Sequence, residues 1–466
     1  MFISVHSWLN VHRTQILRGR LNQVSTTNLK PLAANLVLRL QQAGYKAYWV
    51  GGCVRDYLLV REPGDYDIVT SALPDQIEAL FHHTIPVGRK FGVIIVLESG
   101  HQFQVATFRA ESDYRDGRHP EHVTFGDAMA DAQRRDFTIN GLFYDPVQNQ
   151  LHDWVEGERD LRAKLIRTIG FPSQRFAEDH LRLLRAVRLA AQLGFEVEAE
   201  TMLAIKRLAA KIGGISAERV RDELVKLFQP PHASRGLMLL QESRLLEHVL
   251  PELAATRDCE QSPDFHPEGS VFNHLVLMLQ HLPAGSDPSL PWAALLHDVA
   301  KPITASRDEA SGSIHFYGHE RVGAEMAEQI LQRLRFPKKQ TEEIVKAVRF
   351  HMQFKDVPEM RKATLRRLLM RPTFPLELEL HRLDCLGSHS RLDIYDFLVA
   401  QKEELQKMPQ IQPPLLTGSD LIALGMKPSP AMGELLGELR EKQLQDELTT
   451  PEEAREWVKT RLESHG

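Results

Sequence analysis

Residues 49–69 contain Trp49-Val50-Gly51-Gly52-Cys53-Val54-Arg55-Asp56 and, shortly after, Gly64-Asp65-Tyr66-Asp67-Ile68-Val69. The run around Ile68 and Val69 reads as a strand, and alternate residues of a strand share a face, so Asp65 and Asp67 aim both carboxylates at one point. Two like charges held that close call for a cation between them. Oxygen ligands suit Mg²⁺, and a two-metal arrangement activates an attacking hydroxyl while stabilising a leaving pyrophosphate. Gly51 and Gly52 permit close backbone approach to a phosphate, and Arg55 adds positive charge for its oxygens. The stretch is therefore a candidate triphosphate cradle beside a metal site. Taken singly, a D-x-D is more often a solvated turn and a glycine pair only a turn.

The rest of the chain sets the frame. With 466 residues, 42% of them hydrophobic, it is long enough for several domains with cores of their own. Cys53, Cys259 and Cys385 are too scattered for a disulfide framework or a metal pair, which points to a reducing, cytoplasmic setting. No apolar run approaches the roughly 20 residues of a membrane span, so no membrane partner is expected. The net charge of -5 does not advertise nucleic-acid binding, yet Arg159 to Arg188 holds eight basic residues against three acidic ones, a stripe able to hold phosphates. No acidic residue precedes Asp56, and Arg13, Arg18 and Arg20 sit among apolar residues. That pattern resembles an organellar transit peptide, with a dispensable N-terminal extension as the plainer reading.

Apolar spacing predicts a helix from Pro31 to Ala43, strands in "AYWV", "YDIVT", "FGVIIVL" and "FQVATF", and a helix in "PDQIEALF". Beyond Asp145 strand signals nearly vanish and helical patterns follow one another. The expected architecture is α+β: an N-terminal mixed β-sheet head over 31–150 after an extension at 1–30, then an all-α neck at 151–230, a helical domain at 245–410 and a helical tail at 411–466. Proline pairs near Gln229 and Gln412 mark plausible boundaries.

In "EDHLRLLR" a helical reading makes Asp179 and Arg182 neighbours, with Arg185 continuing the line. A carboxylate beside a guanidinium can read a Watson–Crick edge, although an intrahelical salt bridge fits the same spacing.

Together, "GGCVRDYLL", "GDYDIVT", "FRAESDYRDGRHPEHVTF", "DAQRRDFTINGLFYDP" and "RFAEDHLRLLRAVRLAAQLGF" resemble the successive motifs of the class II tRNA nucleotidyltransferases, the CCA-adding enzymes, and of the related bacterial poly(A) polymerases. The likeness covers most of residues 31 to 230. It implies a nucleotidyltransferase head, CTP and ATP as nucleotides and a tRNA 3′ end as partner. It also implies that Asp65 and Asp67 hold Mg²⁺ and that Gly51, Gly52 and Arg55 face the triphosphate. Arg134, Arg135, Asp136 and Asn140 would fix ribose and phosphates, Asp179 and Arg182 would pair with the base edge, and Arg185 and Arg188 would complete the nucleotide site. The segment Asp113 to His119 would help the pocket switch from C to A. One position departs from the pattern. Gln104 stands in "FQVATFR" where the family usually has a Glu at the metal site, and a neutral amide is a poorer Mg²⁺ ligand.

Further on, His274, His297-Asp298, His319, His351 and Asp384 recur in an order that resembles the HD phosphohydrolase superfamily. A His–Asp pair on an apolar helix is awkward to bury unless a metal or polar network satisfies it. Imidazole donors favour Mn, Ni, Fe or Zn over Mg²⁺ alone, and six ligands have room for one or two ions. The tail from Leu416 looks like the C-terminal helices of HD-bearing members of the same family.

The leading expectation is template-independent addition of C, C and A to tRNA 3′ ends with release of pyrophosphate. The alternatives are a poly(A) polymerase or A-adding enzyme, and a metal-dependent phosphohydrolase whose head, weakened by Gln104, only binds RNA. The oligomeric state has no signature in the sequence.

Overall fold

The computed structural model describes residues 29–110, 125–262, 268–309, 313–408 and 413–463. The arginine-bearing N-terminus, the segment Asp113 to His119 and the boundary residue Gln412 lie outside the described residues. The chain divides into two compact units, the first ending at Ala254.

The first unit opens with α1 (Leu29–Gln42), whose Ala33, Leu36, Val37 and Leu40 are buried at helical spacing. Its sheet is built from β1 (Ala47–Val50), β2 (Asp67–Thr70), β3 (Thr84–Gly88), β4 (Val93–Glu98), β5 (His101–Thr107), β6 (Phe143–Asp145) and β7 (Gln150–His152). They lie in the order β3-β4-β5-β2-β1-β6-β7; β2 and β5 run parallel and the other pairs antiparallel, giving the expected mixed sheet. Three strands were not expected. β3 carries Pro86 and leaves Ile85 exposed, so it reads as a turn, while β6 and β7 are too short to show alternation.

Helices α2 (Gly52–Leu58), α3 (Pro74–Leu80) and α4 (Ala128–Gln133) flank these strands in the chain. After Asp145 come α5 (Gly157–Ala163), α6 (Pro172–Glu178), α7 (Leu181–Leu193), α8 (Ala199–Leu208), α9 (Ala217–Leu227) and α10 (Ala233–Glu242). Strand content does not end there: besides β7, Leu165–Ile166 pairs with Glu196–Val197, and Ser306–Arg307 with Ile314–His315. Two-residue ladders carry no period, so pattern reading passes over them.

The second unit is helical. Val271–Gln280, Leu290–Leu296, His319–Arg333, Lys338–Phe350 and Phe374–Gly387 bury Leu275, Met278, Trp292, Leu296, Ile330, Val348 and Leu380. Each such side chain contributes about 1.5–3 kcal/mol of transfer free energy. A separate apolar cluster of Leu421, Leu435, Leu439, Ala454 and Val458 holds the tail helices together. Among the described residues no helix is long and apolar enough to cross a membrane.

Candidate functional site

In the first unit a cavity of about 360 Å³ opens where β1, β2 and β5 meet. Register builds it: Val50 pairs with Asp67, and Asp67 pairs with Gln104 across the parallel β2–β5 junction. Gly51 leaves β1 at φ 77 and ψ -132, a conformation only glycine adopts without strain. A Cβ there would stand 3.4 Å from an Arg135 nitrogen, so the glycine brings backbone close to a guanidinium.

The strand itself begins at Asp67; Asp65 lies in the loop just before it and is exposed, which corrects the expectation that both occupy the strand. Tyr66 between them packs edge-on against Trp49 at 4.8 Å, and Asp65, unlike Asp67, does not line the cavity; what links the two carboxylates is the Asp65 charge felt at Asp67. Burial pushes the Asp67 carboxyl up to about 6; the Asp65 charge adds to the rise and Arg135 opposes it. Paired carboxylates with a neighbouring amide oxygen are donors that fit a hard divalent cation.

Facing the sheet are Arg134, Arg135, Asp136, Asn140, Asp179, Arg182 and Arg185, all of which line the cavity with Gly51, Gly52, Asp67 and Gln104. Asp136 is the hub on this side. It takes Arg185 at 2.6 Å, the Asn140 side-chain N–H at 3.2 Å and the Phe137 backbone N–H at 2.8 Å. Burial works to raise its carboxyl, but Arg185 and Arg182 prevail and hold it at about 2. Arg55 does not line the cavity, which corrects the expectation that it faces the triphosphate there; it donates to the Asn140 oxygen at 2.9 Å and to Asp56. Arg188 also lies off the cavity, with its guanidinium 2.5 Å from Glu223 and 2.8 Å from Gln192.

The helical neighbour reading of Asp179 and Arg182 needs correction. α6 stops at Glu178, Asp179 is extended at φ -153, and α7 starts only at Leu181. Arg182 pairs with Glu178 and donates to the Arg175 carbonyl at 2.7 Å, while the Asp179 carboxylate pairs with Arg219 at 2.5 Å. The carboxylate and the guanidinium therefore do not neutralise each other.

Sequence reasoning passed over Glu178, Arg219 and Asp131. Asp131 is fully buried and accepts the Arg109 backbone N–H at 3.1 Å, Arg134 Nε at 2.8 Å and Arg135 Nη2 at 3.0 Å. Its spacing three and four residues before the arginine pair that follows α4 was the available signal. Breaking a buried ion pair on one side strands the other charge, so Asp131→Ala should destabilise the protein by about 3–5 kcal/mol. Denaturant unfolding checks this; a cost under about 1 kcal/mol would mean the arginines find water instead.

The second unit gathers the spaced histidines into two sets, His274–His297–Asp384 and Asp298–His319–His351, each with ligand atoms within 4.8 Å of one another. His297 and Asp298 sit in the turn after the helix Leu290–Leu296 rather than on it, which corrects the helical placement. His297, His319 and His351 point Nδ1 at the carbonyls of Ala294, Phe316 and Val348, at 2.9, 2.7 and 2.7 Å. A carbonyl only accepts, so Nδ1 carries the proton and Nε2 presents a lone pair inward. The Nε2 atoms of His319 and His351 face each other at 3.1 Å, and two lone pairs so placed need a proton or a cation between them. Burial drives the His351 imidazole down to about 3. His274 Nδ1 rests on Glu268 at 2.9 Å and its Nε2 on Asp384 at 3.1 Å; burial would lower this imidazole, but those carboxylates raise it to about 9. Lys301, another residue the sequence reading missed, holds Asp298 at 2.6 Å. Orientation of imidazoles by backbone carbonyls and carboxylates is the arrangement metal ligands take, and this donor set fits a divalent transition metal.

Comparison with known proteins finds three family matches along the chain. Residues 47–167 match the Poly A polymerase head domain, 194–256 the probable RNA and SrmB-binding site of polymerase A, and 271–386 the HD domain. The chain is 47% identical over 218 residues to a CCA-adding enzyme of Geobacillus sp. (strain WCH70), covering 47% of this chain and 54% of that one. A CCA-adding enzyme of Lactobacillus helveticus is 40% identical over 247 residues, 52% of this chain and 61% of its own. The chain thus spans about half the length of the curated relatives it matches. Among solved structures, the Bacillus stearothermophilus CCA-adding enzyme in complex with CTP superposes with a TM-score of 0.70 at 26% identity, covering 93% of this chain and 97% of the other. The Thermotoga maritima CCA-adding enzyme complexed with tRNA shares the fold at 19% identity, with a TM-score of 0.55 over 96% of this chain and 98% of the other.

Proposed function

We propose that this chain, which carries a poly A polymerase head domain ahead of an RNA-binding segment and an HD domain, adds C, C and A to tRNA 3′ ends from CTP and ATP without a nucleic-acid template. In each step the 3′ hydroxyl oxygen bonds to the α-phosphorus, the bond to the β-phosphate breaks, pyrophosphate leaves and the hydroxyl proton goes to water. Arg134 and Arg135 offer cations to the triphosphate, Asp136 and Asn140 offer acceptor and donor groups to the ribose, and Asp65 and Asp67 would hold Mg²⁺. Mg²⁺, when bound there, supplies charge neutralisation for the triphosphate and the departing pyrophosphate. Three unpaired, buried cysteines support a reducing, cytoplasmic setting.

The observation that carries this reading is the pair Asp179 and Arg182, which line one cavity without pairing to each other. Cytosine and adenine each present an amino donor beside a ring-nitrogen acceptor, whereas uracil and guanine present a carbonyl beside an N–H. A carboxylate next to a guanidinium complements the first pattern and clashes with the second. A good pair of this kind discriminates by about 1–3 kcal/mol, so Arg182→Ala should raise UTP and GTP incorporation relative to CTP and ATP by roughly tenfold or more. Incubation with tRNA lacking its terminal CCA, Mg²⁺ and each labelled nucleotide, followed by sequencing of product ends, reads this directly. Strict C-C-A order at a lower rate would remove the base-reading role. Long A tracts from the unmodified protein would favour a poly(A) polymerase, and no incorporation at all a head that only binds RNA.

The donor set of the second unit supports a further, metal-dependent phosphoester hydrolysis at the HD centre, with Mn, Ni, Fe or Zn as the fitting ions.

A further inference from the structure

We propose that Arg219, on α9, sets the position of the Asp179 carboxylate and so acts as a specificity-determining positioning residue; this rests on the reading of Asp179 as base-facing. Asp179 occupies a two-residue break between α6 and α7, where no helical hydrogen bonding fixes its backbone from both sides. Its Oδ1 accepts the Leu181 backbone N–H at 3.0 Å, a local contact that leaves the second oxygen undirected. Oδ2 takes Arg219 Nη2 at 2.5 Å, a bond arriving from forty residues further along the chain.

The element supplying that bond is firmly seated. α9 buries Val220, Leu224 and Leu227 at helical spacing and packs along α7. One turn beyond Arg219, Glu223 pairs with Arg188 of α7 at 2.5 Å. Arg219 and Glu223 therefore share one face of α9 and make two ion pairs of opposite sense, which fixes both the distance and the register of the helices. The Asp179 side chain, 23% exposed, is held where it lines the cavity, and the Arg219 side chain behind it is 15% exposed.

Remove Arg219 and the carboxylate is left to Arg185, which lines the same cavity and already feels the Asp179 charge. Asp179 would then turn towards the very guanidinium groups it should stand beside, and the base-facing acceptor would be lost without any change at Asp179 itself. Arg219→Ala should lower the ratio of kcat/KM for CTP to that for UTP by about tenfold, while Arg219→Lys, which keeps a charge but not the fixed fork, should restore part of it. A merely structural role would slow all four nucleotides alike and leave the ratio unchanged.

The test measures kcat/KM for CTP, ATP, UTP and GTP on tRNA lacking its CCA, using the full chain, Arg219→Ala, Arg219→Lys and Asp179→Ala. Loss of selectivity in both alanine variants, with partial recovery in the lysine one, supports the proposal. Selectivity lost in Asp179→Ala but intact in Arg219→Ala overturns it while leaving the base-reading role of Asp179 standing. Selectivity intact in Asp179→Ala overturns that role and the proposal with it. Should Arg219→Ala fail to fold, Arg219→Gln, which keeps an N–H donor without the charge, takes its place under the same criteria.

Discussion

Asp67→Ala should cut nucleotide incorporation by roughly a thousandfold, about 4 kcal/mol of barrier, in a protein that remains folded. Folding should survive because the Asp67 carboxylate makes no ion pair or side-chain hydrogen bond among the described residues, and its carboxyl stands at about 6 through burial and the Asp65 charge. Its removal relieves a desolvated charge instead of stranding a partner. Asp65→Ala should act in the same direction. Gln104→Glu places a third carboxylate across the β2–β5 register from Asp67 and should lower the Mg²⁺ concentration needed for half-maximal rate. Single-turnover incorporation over a Mg²⁺ titration, with circular dichroism as the folding control, measures all three variants. Near-normal incorporation by folded Asp67→Ala would remove this site assignment, and a clear loss in Gln104→Glu would give the amide a different task.

The second large effect belongs to the HD centre. His297→Ala should abolish bound transition metal and any phosphoesterase activity measured with Mn²⁺ or Ni²⁺, while CCA addition stays within about twofold of normal, because the two centres lie in different compact units. His297 is the cleaner position to change. Asp298→Ala also strips Lys301 of the carboxylate 2.6 Å away and leaves a buried ammonium, which costs about 3–5 kcal/mol of stability on top of the metal. Metal analysis of purified protein and hydrolysis of a phosphoester substrate give the result. If the unaltered protein purifies metal-free and hydrolyses nothing with those ions supplied, the HD domain here is a scaffold.

Much of this molecule is legible in the chain itself, and the reason is physical. Strand period and β-branched residues mark β1, β2, β4 and β5, because burying one sheet face forces alternation on the sequence. Positions where a backbone must turn without a side chain, such as Gly51, and like charges spaced two residues apart, such as Asp65 and Asp67, are visible for the same reason: the pattern is local. The spaced histidines also announce themselves, since a buried His–Asp pair needs a partner wherever it lies.

What the sequence could not show is which charge answers which. Asp179 and Arg182 lie three residues apart and read as partners, yet a helix break sends one to Arg219 and the other to Glu178. Arg188 continues the arginine line of α7 but is drawn to Glu223 on α9, away from the cavity. Asp131 looks like an ordinary helix acid until burial gives it two guanidinium groups to hold. Sequence alone determined the sheet head, the helical remainder and the chemical types at both centres, because propensity, turn geometry and hydrophobic period act over a few residues. The pairing of the charges was decided by tertiary packing alone, because an ion pair is chosen by distance and desolvation across elements far apart in the chain.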